Sequence, residues 1–73
     1  MYFIVENKKN IDFTILAISA NEISAEDAFD TSQIYSNDDN SKDIELYNSD
    51  KLFNSILSQP GSILRTHENV REF

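Results

Sequence analysis

Two dense runs of β-forming residues, Tyr2-Phe3-Ile4-Val5 and Ile11-Asp12-Phe13-Thr14-Ile15-Leu16-Ala17-Ile18, flank the polar stretch Glu6-Asn7-Lys8-Lys9-Asn10. Short β-rich runs on either side of turn-forming residues predict a β-hairpin. In the second run Ile11, Phe13, Ile15 and Ala17 fall on one side of the pleat. On the other side Asp12 and Thr14 give way to Leu16 and Ile18. That pattern predicts a strand sealed on both sides toward its end, which suits an inner strand.

Helical spacing follows. Ser24 with an acid three residues later approximates a capping box, and Ala25, Ala28, Phe29 and Ser32 recur at i, i+3, i+4 and i+7. This predicts a helix that starts at Ser24, ends near Tyr35 and is anchored by Phe29. Ser36 to Ser41 is a polar cluster with turn chemistry, predicted to be an exposed loop. Asp43-Ile44-Glu45-Leu46-Tyr47 alternates as a half-buried edge strand does. Asn48-Ser49-Asp50 offers caps for a second short helix with an apolar stripe of Leu52, Phe53, Ile56 and Leu57, which Gln59-Pro60-Gly61 stops. Ser62 to His67 reads as a last strand, and residues 68–73 as a tail that frays. The predicted fold is α+β: a small, mainly antiparallel sheet in the order β-β-α-β-α-β, with one or two short helices packed on one face.

Composition narrows the class. Seventy-three residues hold one domain, 1–73, and an apolar share of 40% with five Phe and three Tyr is enough for one core. With no cysteine there is neither a disulfide framework nor a thiolate metal site, which fits a cytoplasmic setting. The N-terminus carries no basic signal region, and no run approaches the roughly 20 apolar residues that span a bilayer, so no membrane association is expected.

Charge changes the picture most. From Glu22 to Asp50 there are nine acids against the single base Lys42, a net of −8, while the rest of the chain nets +1. A sector of that sign repels phosphate backbones and steers basic surfaces toward itself. Direct nucleic-acid binding is therefore not expected, and Lys8, Lys9, Arg65 and Arg71 are too few to reverse that. The candidate partner-binding residues are Glu22, Glu26, Asp27, Asp30, Asp38, Asp39, Asp43 and Glu45.

Candidate chemistry is sparse. His67 is the single histidine and no local motif supplies it with a nucleophile and an orienting acid. The stretch Asp38 to Glu45 clusters oxygen ligands suited to a hard cation, but it lacks the calcium-loop glycine and closing Glu, and Lys42 stands where a ligand oxygen belongs. A lone glycine, Gly61, gives no phosphate-cradling loop. The expectation is a protein with no enzymatic activity, metal or cofactor.

Ala17-Ile18-Ser19 running into Glu26-Asp27-Ala28 resembles a layout of short phage and mobile-element proteins, in which a strand ends in A-x-S and a small acidic helix carries E-D-A. The resemblance spans about the first half of the chain. Such proteins include anti-CRISPR proteins and inhibitors of host RNA polymerase. It implies an inhibitor acting in the host cytoplasm, whose carboxylates stand in for phosphates and occlude a basic, nucleic-acid-binding surface of a host protein. The Asp/Asn/Ser loop and the second apolar helix depart from that layout, so no site residue is carried over. The alternative is a structural or regulatory module that dimerises or docks through the edge strand around Ile44 and Leu46, or through the helix bearing Leu52, Phe53, Ile56 and Leu57.

Overall fold

The computed structural model describes residues 1–35 and 43–72, with side chains for all of these except 32–35. Strands β1 (Tyr2–Lys8) and β2 (Asp12–Ser19) form the hairpin, followed by α1 (Glu22–Tyr35), β3 (Ile44–Asn48), α2 (Ser49–Leu57) and β4 (Ile63–Glu72). The sheet order is β3-β1-β2-β4, with β1 antiparallel to β2 and β3, and β4 parallel to β2. Two of the three pairings are antiparallel, the expected architecture. β3 lies at an edge and β2 is an inner strand, also as expected.

β1 runs three residues past Val5, so Glu6, Asn7 and Lys8 belong to the ladder rather than to the turn. The chain reverses through Lys9 and Asn10, both in the left-handed region at φ 58° and 60°. A tight hairpin turn of type I′ demands that geometry, and Asn tolerates it better than Lys. Asn7 braces the turn: its Oδ1 accepts from the Asn10 amide at 3.0 Å and its Nδ2 donates to Asn10 Oδ1 at 3.2 Å.

A β-bulge at Leu16 corrects the predicted alternation. Ile4 pairs with Ala17 and Val5 with Ile15, so one extra residue sits on β2 and its later side chains change sides. Phe13, Ile15 and Ile18 therefore join Phe3, Val5, Tyr47 and Leu52 on one face. Leu16 and Ala17 join Ile4, Ala28 and Ile44 on the other. Ile11, read as the first residue of the second strand, lies in the turn ahead of β2 and is exposed.

The helices occupy opposite faces, where one shared face was predicted. α1 lies on the Ile4/Ala17 side and α2 on the Val5/Phe13 side. Strand order supplies the reason. β2, β3 and β4 all run parallel, and the chain crosses from β2 to β3 in one direction and returns from β3 to β4 in the other. Two crossovers of the same hand that travel in opposite directions must lie on opposite faces.

α1 starts two residues before Ser24. Asn21 caps it, its Oδ1 accepting from the Ser24 amide at 2.8 Å, so the capping box predicted on Ser24 is not formed. The buried Ser19 hydroxyl donates to the Asn21 carbonyl at 2.9 Å, which fixes the strand-to-helix junction. With Ala25 and Ala28 buried, α1 approaches the sheet closely, and Phe29 is only half-buried. Asn48 caps α2 by accepting from the Lys51 amide at 2.8 Å. Ser49 donates from its amide and its hydroxyl to the Met1 carbonyl, both at 3.1 Å, tying down the chain start.

β4 is longer than predicted and includes Glu68 to Glu72. It pairs with β2 from Ile63 to Thr66, bulges over residues 67–70, and rejoins β2 at Arg71 and Glu72. Val70 packs against the α2-side core, which anchors the segment expected to fray. No other residue of β4 is even half-buried.

Candidate interaction surface

The outward face of α1 gathers half of the predicted site. Glu22, Glu26 and Asp30 stand at i, i+4 and i+8 and form one row along the helix, with Asp27 beside it. All four are exposed because Ala25 and Ala28 turn the opposite side of the helix into the core. At 1.5 Å rise per residue the four charges span about 12 Å, or one per about 4 Å, close to the roughly 3.4 Å per phosphate along one DNA strand.

These carboxylates have no cationic neighbour among the described residues. The ion pairs found there lie elsewhere: Lys8 with Glu6 at 3.8 Å in β1, and Arg65 Nε with Asp12 Oδ1 at 3.2 Å between β4 and β2. The second contact falls short of hydrogen-bond geometry and leaves that buried oxygen of Asp12 without a donor.

The other predicted residues do not converge on this row. Glu45 alternates with Ile44 and Leu46, which face α1, and so projects on the α2 side of the sheet. Asp43 is half-buried ahead of β3, where its carbonyl accepts from the Asn7 amide at 2.8 Å. Asp38 and Asp39, and most of the candidate cation loop, lie outside the described residues. Ile23, 77% exposed and flanked by Glu22, Glu26 and Asp27, belongs to the same surface. The predicted helix begins at Ser24 and so leaves Ile23 out; the signal that brings it in is Asn21, the cap that starts α1 at Glu22.

On the opposite side a cleft of about 190 Å³ opens between the hairpin end and α2, lined by Asn7, Glu45, Lys51, Ser55 and Gln59 among others. At its base Tyr47 is buried, its hydroxyl accepting from Asn7 Nδ2 at 2.9 Å. Burial, more than the adjacent Glu45 carboxylate, raises the Tyr47 phenol above its ordinary range, against the lowering effect of the Asn7 bond. Lys51 Nζ lies 5.0 Å from the ring centroid, a cation-π contact that roofs the ring. The cleft is smaller than the roughly 300 Å³ at which ligand pockets begin, and its aromatic floor is covered.

His67 is exposed in the β4 bulge, and its Nδ1 accepts from the Asn69 amide at 3.0 Å. Among the described residues no three His, Asp or Glu side chains are grouped to hold a metal ion, and no helix is long and apolar enough to cross a membrane. Comparison with protein-family models, curated proteins and solved structures returns no match.

Proposed function

We propose that this is a non-catalytic binding protein whose α1 face engages a basic, nucleic-acid-binding surface of a partner protein, in the manner of a phage-encoded inhibitor of a host CRISPR effector or polymerase. One observation carries the reading: Glu22, Glu26, Asp27 and Asp30 lie on a single exposed helix face with no cation beside them among the described residues. Unneutralised carboxylates held on a helix gain most from an external cationic surface, and their field accelerates the encounter.

Such binding weakens with salt, because exposed charges are screened over about 8 Å at physiological ionic strength. The test is capture from bacterial lysate on the immobilised protein at low and high salt, beside a variant carrying Glu22→Gln, Glu26→Gln, Asp27→Asn and Asp30→Asn. The wild-type protein is expected to retain basic nucleic-acid-binding proteins at low salt and release them at high salt, and the variant to retain none. Retention of the same proteins by the variant would overturn the proposal.

A further inference from the structure

We draw no further inference here: the strongest candidate, the exposed apolar surface patch between α2 and β4 that includes Phe53, Leu57 and Leu64, carries nothing because nothing in the structure shows what covers it.

Discussion

The two helices differ in what they turn inward and what they leave outside. α1 buries two alanines, a low-volume contact that brings its backbone close to the sheet, and turns four carboxylates outward. α2 buries Leu52 and half-buries Ile56, yet leaves Phe53 and Leu57 exposed. One side of this small protein therefore offers charge, and the other offers exposed apolar side chains. The difference teaches that the stripe on a helix marks what is available for burial, and strand order decides how much of it finds cover. Here the sheet is wide enough for α2, but only its β3 and β1 half lies beneath that helix.

Opposite substitutions on the two helices are the severest challenge to this contrast. Leu52→Ala is expected to cost about 2–5 kcal/mol, because it deletes the one fully buried anchor of α2. On α1 the damaging change is an enlargement: Ala28→Leu is expected to cost about 1–3 kcal/mol by forcing the helix off Ile4 and Ala17. Urea unfolding of both variants checks this, and an Ala28→Leu protein as stable as wild type would mean that α1 does not pack closely.

Tyr47 tests the buried side of α2 through pH. Its phenol titrates above the ordinary 10.0 because burial favours the neutral form. The unfolded chain loses that proton first. The contribution to stability is therefore complete below about pH 10 and is lost as pH rises through the elevated folded value. Tyr47→Phe is expected to cost about 1–2 kcal/mol at neutral pH, since Asn7 Nδ2 loses its buried acceptor, and to flatten that part of the alkaline decline. An alkaline limb unchanged by the substitution would place the titration elsewhere.

The smallest effect concerns the start of α1. Asn21→Ala is expected to cost about 1 kcal/mol and Ser24→Ala only a few tenths, because the cap oxygen belongs to Asn21. Thermal melts that reversed this order would restore the capping box suggested by the Ser24 to Asp27 spacing.

Much of this was legible in the residues, and the failures share a physical cause. The hairpin, both helices and the β3 edge follow from periodicity and turn chemistry, which are local. The Leu16 bulge was not legible, because a one-residue insertion in a ladder depends on what the neighbouring strand offers and leaves no local mark. That bulge moved Ala17 and Ile18 to unexpected faces. The separation of the helices depends on the order β3-β1-β2-β4, a non-local fact. β4 escaped its full length because a strand exposed on both faces needs no alternation. Of the acidic residues, Glu26, Asp27 and Asp30 were legible as one helix face; Glu22 joins them because Asn21 starts α1 two residues before Ser24, and Glu45 parts from them through strand parity.

The claim that negative charge is concentrated on the α1 face is most directly tested by titrating the isotope-labelled protein with a short oligo-lysine peptide and following its amide resonances by NMR. The expected result is a set of shifts confined to Glu22 through Asp30 and their neighbours, reversed by added salt. Shifts of equal size at Glu45, Glu68 and Glu72, or shifts indifferent to salt, would contradict it.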